Sequence, residues 1–420
     1  MRASRPTDVV IVGGGHNGLA MSKQLSDRAI DHVVIERDEV ASSWRRQRWD
    51  SFTLLTPNWQ TRLPGRDYDG TDPDGFMTGP EIASFVARYA DAIDAPVSSG
   101  HAVTSVRARD EGFEVVTEPT TWTCRAVVLA DGACNLPLVP SFAAGVPDGI
   151  EQVNPLEYRS PDVLPDGGVL VVGAAATGVQ LAEEIQRTGR PVTLSVGEHV
   201  RMPRTYRGLD IQHWMEVIGR LDERYDEVED VDKARKVASP QLVGSPERRT
   251  VDLNGLTGMG VQLRGRLGTI RDGVALFSGG IRNHLALADQ KLARLLDDID
   301  EFIASTGLDG EVGAPERYEP TMAPRGAPLT LDLTRGEIST IVWATGFRPD
   351  LSWVELPVFD HDRRMQHDGG VVAPGVYTLG GTFLRRRRSS FIHGAAADTA
   401  DLADHLAGYL ARHLRTGRSG

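Results

Sequence analysis

The chain has 420 residues and a net charge of −12, with 46 Lys and Arg against 58 Asp and Glu. Its length allows two or three domains, and a composition of 40% hydrophobic and 25% charged residues is ordinary for a soluble globular protein. The acidic balance argues against a nucleic-acid or anionic-membrane binder, and no apolar run approaches the ~20 residues of a membrane span. Cys124 and Cys134 form no C-x-x-C pair, which disfavours a disulfide scaffold, a zinc site and a redox disulfide. A reducing cytoplasm is the expected location.

The first predicted element is a short buried strand, Val9–Val12, which leads into a glycine-rich turn and an apolar helix. The turn has the form Gly13-x-Gly15-x-x-Gly18, and a second apolar strand ends in Glu36 about 20 residues further on. In a dinucleotide-binding unit the first glycine permits the tight turn, the second lets the backbone approach a pyrophosphate, and the third lets helix and strand pack closely. Amides at the helix start hold the phosphates, and the acid takes the ribose hydroxyls.

We therefore predict a dinucleotide site formed by Gly13, Gly15, His16, Asn17, Gly18, Glu36 and Arg37. His16 is expected to pack in the loop or beside the pyrophosphate rather than to act as a base. The alternative is a glycine-rich turn in an ordinary α/β protein. The strand, helix and acid around the glycines favour the dinucleotide.

A segment rich in tryptophan and arginine follows at residues 42–50 and contains Ser43, Trp44 and Trp49. One interpretation is a loop held by cation–π contacts. The other is a lining for a planar cofactor, with polar groups such as that of Asn58 facing the cofactor.

An amphipathic helix is predicted from Pro80 to about Ala92. Strands are predicted at 103–109, 113–118 and 122–129. The last strand ends in Ala130, Asp131 and Gly132, and such a small, glycine-containing corner suits close approach to a nucleotide. A proline-rich linker is expected at 148–165.

The opening pattern returns about 160 residues later as a strand, a Gly173-x-Ala175-x-x-Gly178 turn and a helix. The next strand ends without an acid, and arginines follow it, which is what the 2′-phosphate of NADPH needs. The alternative is that these arginines form a solvated loop. The residues predicted to bind this second dinucleotide are Gly173, Ala175, Thr177, Gly178, Arg201 and Arg204.

Near the end of the chain, Ile338–Gly346 resembles the earlier return strand and closes on Ala344, Thr345 and Gly346. A further strand ends at Gly380. The run of four arginines at 385–388 is expected to be a solvated or anion-contacting loop. A final helix begins near His393, and its amino terminus could point at an electron-rich ring. His393 is a candidate catalytic residue, with a capping role as the alternative, and disorder is expected at 416–420.

Two dinucleotide patterns in one chain suggest two cofactors brought face to face, and FAD with NADPH is the chemically sensible pair. We predict an α/β fold with two Rossmann-like domains, the second inserted in the first. The FAD domain comprises residues 1–160 and 326–420, and the NADPH domain comprises residues 161–325.

Taken together, these motifs resemble the class B flavoprotein monooxygenases, which include flavin-containing, YUCCA and Baeyer–Villiger monooxygenases. The resemblance covers nearly the whole chain and is nearest to the bacterial CzcO-like branch. The residues that carry it are Gly13-x-Gly15-x-x-Gly18, Ser43-Trp44, Gly173-x-Ala175-x-x-Gly178 and Ala344-Thr345-Gly346-Phe347.

The resemblance implies FAD on the first turn with Glu36, and NADPH on the second. It also implies that Val103 lies over the adenine, that Trp49 borders the flavin, and that Asn58 or Gln60 lies beside the reactive flavin carbon. The implied reaction is hydride transfer from NADPH to the flavin, followed by formation of a flavin (hydro)peroxide with dioxygen. That species would oxygenate a nitrogen, a sulfur or a carbonyl carbon of a small organic substrate, and no metal is required.

Two departures from the family pattern leave other functions open. In the linker fingerprint Asn154 replaces the usual histidine, and Gly380-Gly381 replaces a Gly-Asp pair. The alternatives are a flavin oxidoreductase that does not oxygenate its substrate and a non-catalytic, redox-sensing flavoprotein. A homodimer is possible on any of these interpretations.

Overall fold

The computed structural model describes residues 3–416. The disorder expected at 416–420 is not found at Thr416, which ends a helix, and the other four positions lie outside the described residues. The strands in this part of the chain are β1 (Ala3–Pro6), β2 (Val9–Val12), β3 (His32–Ile35), β4 (Arg62–Leu63), β5 (Arg66–Asp67), β6 (Val97–Ser98), β7 (Ser105–Arg109), β8 (Gly112–Val116), β9 (Thr120–Cys124), β10 (Ala126–Leu129), β11 (Leu136–Pro137), β12 (Glu151–Val153), β13 (Gly168–Val172), β14 (Val192–Ser195), β15 (Thr205–Tyr206), β16 (Leu209–Asp210), β17 (Gln262–Arg264), β18 (Leu267–Arg271), β19 (Val274–Phe277), β20 (Thr330–Asp332), β21 (Ile338–Trp343), β22 (Phe347–Arg348), β23 (Val371–Ala373) and β24 (Val376–Thr378).

The α-helices in the same range are α1 (His16–Asp27), α2 (Ser42–Arg46), α3 (Gly79–Ala92), α4 (Ala176–Arg187), α5 (Ile211–Val217), α6 (Val231–Arg235), α7 (Leu253–Gly258), α8 (Ile281–Thr306) and α9 (Ala395–Thr416). Among the described residues, no helix combines the length and the apolar character needed to cross a membrane.

Two mainly parallel sheets form the framework. The first has the strand order β23-β24-β10-β2-β3-β6 and the second the order β12-β21-β13-β14-β17. Strand β2 pairs in parallel with β3 and β10, and β13 pairs in parallel with β14 and β21. All residues of β2 and β13 are buried, because helices and loops cover both faces of a parallel sheet. The predicted α/β class is confirmed.

Each sheet has a smaller sheet beside it, and the pairs in these smaller sheets are antiparallel except that β1 pairs in parallel with β9. Strands β1, β9, β8 and β7 form one beside the first sheet, and strands β18, β19 and β20 form the other beside the second. In the first case the chain runs from β6 through 99–104 into β7, and in the second it runs from β17 through 265–266 into β18. The two halves of the chain thus repeat the same order of strands.

The sheets do not follow the predicted domain boundaries of 161 and 325. Strand β12, at 151–153, pairs with β21 in the second sheet, and β21 itself lies at 338–343. The proline-rich stretch near 150 therefore contains a strand. The segment around 330, predicted to belong to the last domain, supplies two strands to the second sheet and its antiparallel partner.

Helix α3 begins one residue before the predicted start, at Gly79. Thr78 caps it and Glu81 completes a capping box, so the local sequence defines this end. Helices α5, α6 and α7 are each capped by an aspartate side chain.

Candidate dinucleotide-binding and active site

The two glycine turns have nearly the same geometry. Gly13 has a φ of +112°, and a Cβ there would lie 2.4 Å from the carbonyl oxygen of Ala130. Gly173 has a φ of +111°, and a Cβ there would lie 2.3 Å from the carbonyl oxygen of Ala344. Only glycine fits at either position, since both the backbone conformation and the space exclude a side chain.

The third glycine of each motif fulfils the role predicted for it. A Cβ on Gly18 would lie 1.9 Å from the oxygen of Gly13, and a Cβ on Gly178 would lie 1.9 Å from the oxygen of Gly173. Helix and strand can approach this closely only because both residues are glycine. The predicted corner residues Ala130 and Ala344 lie against the first glycine of each turn.

The middle position differs between the turns. Gly15 and Ala175 are the N-cap residues of α1 and α4, with extended φ values of −82° and −79° that any residue can adopt. No atom lies within 4 Å of a Cβ built on Gly15, so open space faces this residue. Neither N-cap has a side-chain hydrogen bond, which leaves the helix amides available to an anion.

Residues near the first turn gather around its open side. Glu36 accepts a hydrogen bond from the Gly14 amide at 2.7 Å and is half-buried. The side-chain nitrogen Nδ2 of Asn17 lies 3.0 Å from Nε2 of His16, and a Cβ on Gly380 would lie 2.5 Å from Nδ2 of Asn17. Burial lowers the pKa of His16 to about 4, so the imidazole is neutral, and the packing role expected for it stays a prediction.

The corner after β10 carries a carboxyl group with a raised pKa. Burial raises the pKa of Asp131 to about 7, Asp350 adds to the shift and Arg37 opposes it. The oxygen Oδ2 of Asp131 is buried without a partner. Gly132 follows with a φ of +92°, so the chain turns sharply away at this point. Half-buried Val103 lies in the segment that joins β6 to β7.

In the segment predicted to line a planar cofactor, aromatic rings gather around an arginine. The guanidinium carbon of Arg48 lies 4.9 Å from the ring centre of Trp44 and 5.4 Å from that of Phe52. Trp44 also lies 6.5 Å from the ring of His16, so this group adjoins the first turn. The cation–π contacts of the first interpretation are therefore present.

Trp49 occupies a different place from Trp44. It is 7% exposed, meets Phe52 edge-on at 5.0 Å and belongs to the hydrophobic cluster of the second sheet. Trp44 is half-buried, as is Ser43, which lies beside it in α2. Trp44, rather than Trp49, is therefore the ring nearest to the first glycine turn.

The two amides proposed beside the flavin differ in their contacts. Asn58 donates to the carbonyl of Asp72 and accepts from the amide of Met77, each at 2.9 Å, so its side chain ties down its own loop. Gln60 is fully buried, and its Oε1 has no partner. The structure thus gives Asn58 a structural task and leaves Gln60 as the better candidate for ligand contact.

Gln60 leads to a buried polar group that we call the Glu216 cluster, formed by Gln60, Arg62, Glu216, Arg388 and His393. Glu216 accepts from Nε2 of Gln60 at 3.3 Å, is hydrogen-bonded to Arg62 and lies 3.8 Å from Nη1 of Arg388. Burial raises the pKa of Glu216, but the hydrogen bond and charge of Arg62 outweigh burial, and the net shift is downward.

His393 is the second predicted catalytic residue in this cluster. It is 3% exposed and stacks on Phe391, and its Nε2 has no partner. Burial, followed by the charges of Arg388 and Arg62, lowers its pKa to about 3, so the imidazole is neutral. Sequence reasoning missed Arg62 and Glu216, because nothing in the sequence links residue 216 to residue 60.

The arginines predicted to bind the 2′-phosphate are already neutralised. Arg201 is 5% exposed and pairs with Asp252 and Asp289 at 2.7 and 2.8 Å. Arg204 is fully buried and pairs with Asp210 at 2.5 Å. These guanidinium groups stabilise the protein interior, so the structure does not support their assignment to NADPH. Both the predicted role and its solvated-loop alternative need correction.

The last predicted cofactor contacts lie on the return strand of the second sheet. Thr345 donates from Oγ1 to the carbonyl of Leu138, and Gly346, with a φ of +102°, accepts from the amide of Leu138. Thr177 is half-buried in the first turn of α4, at the position that Asn17 holds in α1.

The four-arginine run is neither solvated nor free for anions. Arg385 and Arg386 pair with Asp401 of α9, and Arg386 also pairs with Asp398. Arg387 and Arg388 pair with carboxylates of a different segment, Glu223 and Asp222. The run therefore ties the start of α9 to the segment that follows α5.

The altered linker is closed by its own contacts. Asn154 donates to Glu157 at 2.6 Å and accepts from the Leu156 amide at 3.0 Å. Arg159 donates to the carbonyls of Arg46 and Arg48, so the linker holds the tryptophan-rich segment.

Residues 10–237, more than half of the chain, match the pyridine nucleotide-disulphide oxidoreductase family. The chain belongs to this family. The match covers both glycine turns and agrees with the dinucleotide-binding fold predicted from the sequence.

Curated relatives and solved structures agree with this assignment. An uncharacterized CzcO-like oxidoreductase of Geobacillus kaustophilus is 28% identical over 403 residues, 95% of this chain and 98% of the relative. A probable indole-3-pyruvate monooxygenase of Arabidopsis thaliana, YUCCA9, is 27% identical over 72% of this chain and 75% of its own. The flavin-containing monooxygenase of Stenotrophomonas maltophilia has a similar structure, with a TM-score of 0.67, 17% identity and coverage of 96% and 99%. The predicted resemblance to class B flavoprotein monooxygenases is confirmed.

Proposed function

We propose that this oxidoreductase is an NADPH-dependent FAD monooxygenase that adds one atom of dioxygen to a small organic substrate. The observation that carries the proposal is the pair of glycine turns, with φ values of +112° and +111° at their first glycines. Two such turns in one chain provide for two dinucleotides, and a nicotinamide donor with a flavin acceptor is a productive pair. Bound FAD would supply the two-electron redox chemistry and the reaction with dioxygen.

The middle residues of the turns support FAD at the first turn and NADPH at the second. The open space at Gly15 fits a pyrophosphate held close to the backbone, as a permanently bound FAD requires. At the second turn the methyl group of Ala175 occupies the corresponding space, so a diphosphate must lie further out. A looser fit suits NADPH, which enters and leaves in each turnover.

The Glu216 cluster supplies the polar groups of the proposed active site. The unpartnered Oε1 of Gln60 can accept a hydrogen bond, and Nε2 of neutral His393 can donate or accept one according to its tautomer. Glu216 holds Gln60 and Arg62 in place. The rings of Trp44 and Phe52 provide an apolar wall that keeps water away from the reacting groups.

The names of similar proteins support a small organic substrate. The YUCCA relatives are named indole-3-pyruvate monooxygenases. Structural neighbours include an S-allyl-L-cysteine S-oxygenase of Allium sativum, with a TM-score of 0.55, and OTEMO in complex with FAD and NADP, with a TM-score of 0.53.

Oxygen transfer is the property to test. The purified holoprotein is supplied with NADPH, isotopically labelled dioxygen and three probes: a thioether, a tertiary amine and indole-3-pyruvate. The expected result is one labelled oxygen atom in the product of at least one probe. If NADPH is consumed and all the oxygen appears as hydrogen peroxide with every probe, the monooxygenase proposal fails.

A flavin oxidoreductase that does not oxygenate is the second candidate, because Asn154 puts a non-titrating side chain in the linker. Among the reactions of such a non-oxygenating flavin oxidoreductase, disulfide reduction is the least favoured. Cys124 and Cys134 are both free, and burial raises the pKa of each thiol, in the case of Cys124 to about 12. Protonated thiols are poor nucleophiles. A redox-sensing flavoprotein remains the third possibility.

We also propose that the second sheet is an inserted NADPH domain, because its strands lie in sequence between β10 and β23 of the first sheet. The strand pairing favours domain bounds near 151 and 343 over those predicted. A cytoplasmic location is proposed from the free thiols. A homodimer is proposed as the form in solution, and light scattering on the purified protein tests it.

A further inference from the structure

The internal repeat locates the adenosine end of the second dinucleotide. In the first half of the chain, residues 99–104 join β6, the third parallel strand, to the antiparallel strand β7. This segment contains Val103 and lies beside Glu36. In the second half, the equivalent segment is Gly265–Arg266, between β17 and β18. The amide of Val196 bonds to the carbonyl of Arg264, as the amide of Glu36 bonds to that of Ser98. Residue 266 therefore lies where the adenosine ribose of a dinucleotide is expected.

We propose that Arg266, rather than Arg201 or Arg204, selects NADPH over NADH by binding the 2′-phosphate. This inference rests on the proposed function. Arg266 is exposed, and its Cγ and Cδ lie 3.7 Å from the position of a Cβ on Gly197, two residues after the end of β14. The side chain of Arg266 thus crosses the end of β14. In an NAD-binding unit an acidic residue stands at the end of the equivalent strand, and β14 ends without one. Among the described residues, Arg266 has no ion pair.

The cleft beside Arg266 has no acidic residue in its lining, and Glu198 follows Gly197 in the adjoining loop. Arg266 lines this cleft of about 440 Å³ together with Ser278 and His284. A neighbouring cavity of about 110 Å³ shares Ser278 and is lined by Arg282, again with no carboxylate. The nitrogen Nδ1 of His284 is buried without a partner. A phosphate in the larger cleft would meet the guanidinium group of Arg266 and a ring nitrogen of His284, with Arg282 in the adjoining cavity.

Helix α8 adds to the positive field at this place. It is 26 residues long, its N-cap Gly280 has no side-chain hydrogen bond, and Ile281 and Arg282 of its first turn line the smaller cavity. The positive end of the helix dipole faces the same region, which favours a bound anion.

The contrast with the buried arginines supports the assignment. Arg201, Arg204 and Arg207 each pair with at least one aspartate and are at most 5% exposed. Binding a phosphate through any of them would break an internal ion pair. Arg266 can bind without such a loss, and the arginine fork matches the geometry of a phosphate.

The test compares the Arg266→Ala and Arg271→Ala variants of the full-length holoprotein. Arg271 is also exposed and without an ion pair among the described residues, and it lies at the far end of β18, so it is a matched control. Calorimetric titrations with NADP⁺, NAD⁺, adenosine 2′,5′-bisphosphate and 5′-AMP give four dissociation constants for each variant.

For Arg266→Ala we expect the Kd values for NADP⁺ and for the bisphosphate to rise about 10- to 100-fold, the range for loss of a charge-assisted contact. The Kd values for NAD⁺ and 5′-AMP should change less than about 3-fold, and Arg271→Ala should leave all four unchanged. An equal loss for NADP⁺ and NAD⁺, or no loss for either, would overturn the inference. A wild-type protein that binds neither nicotinamide would instead refute the proposed function.

Discussion

The strongest structural prediction concerns Arg204, which the sequence suggested as a phosphate ligand. Its side chain is fully buried, pairs with Asp210 at 2.5 Å and donates to the carbonyl of Leu55 at 2.7 Å. Burial lowers the pKa of this arginine, and Asp210 opposes the shift. Arg204→Ala removes one half of a buried pair and leaves the carboxylate of Asp210 without its counter-ion.

Loss of one partner of a buried pair costs about 3–5 kcal/mol in the free energy of unfolding. For a unit of this size, 1 kcal/mol shifts Tm by about 2–4 °C, so Tm should fall by about 6–20 °C. The matched control is Arg107→Ala, because Arg107 pairs with Glu355 at 2.8 Å in an exposed position. An exposed pair contributes little to the free energy of unfolding because solvent screens it, so the Tm of this variant should stay close to the wild-type value.

The assay is differential scanning calorimetry of both variants, with a titration of NADP⁺ into the folded protein at low temperature. The double variant Arg204→Met with Asp210→Asn should recover most of the lost stability, because no unpaired charge remains and the asparagine still caps α5. If Arg204→Ala kept the wild-type Tm and weakened NADP⁺ alone, Arg204 would be a cofactor ligand and the structural interpretation would be wrong.

Three further predictions follow from the site. Gly15→Ala should fold, since nothing lies within 4 Å of a Cβ at this position, but its affinity for FAD should fall by at least about 10-fold. The flavin content after dialysis measures this loss, and the control variant Ala175→Gly should keep its flavin. The pKa of His393 falls from 6.5 to about 3 on folding, so the unfolded chain binds more protons than the folded chain between these pH values. The Tm should therefore fall as the pH drops below 6.5, and the variant His393→Phe should show a smaller fall. Arg388→Ala should cost about 1.5–3 kcal/mol and speed hydrogen exchange in residues 216–225, because Glu216 and Asp222 lose a partner; unchanged exchange would contradict the role given to the arginine run.

The sequence was sufficient for features that depend on neighbouring residues. The two glycine turns, their helices and the capped start of α3 follow patterns of a few neighbouring residues, although the first glycine of each turn also lies against the carbonyl of an alanine that is distant in sequence. The internal repeat then gave the α/β class, because a pattern that occurs twice predicts two parallel sheets.

Side-chain partners that are distant in sequence could not be predicted. Arg201 is 88 residues from Asp289, and Arg387 is 164 residues from Glu223, so no spacing rule links them. For this reason an arginine near a strand end was predicted to bind the 2′-phosphate, whereas in the fold an aspartate neutralises its charge. Arg266 was overlooked because the sequence does not show that the strand before it, β17, lies beside β14.

Anaerobic rapid mixing of the FAD-loaded protein with NADPH is the most direct test of whether the two dinucleotides meet on this chain. We expect the visible absorption of the flavin to bleach in a single enzyme-bound step. Ala substitution of Arg266 should slow this step with NADPH but not with NADH. A flavin that stays oxidised with both nicotinamides would contradict this expectation.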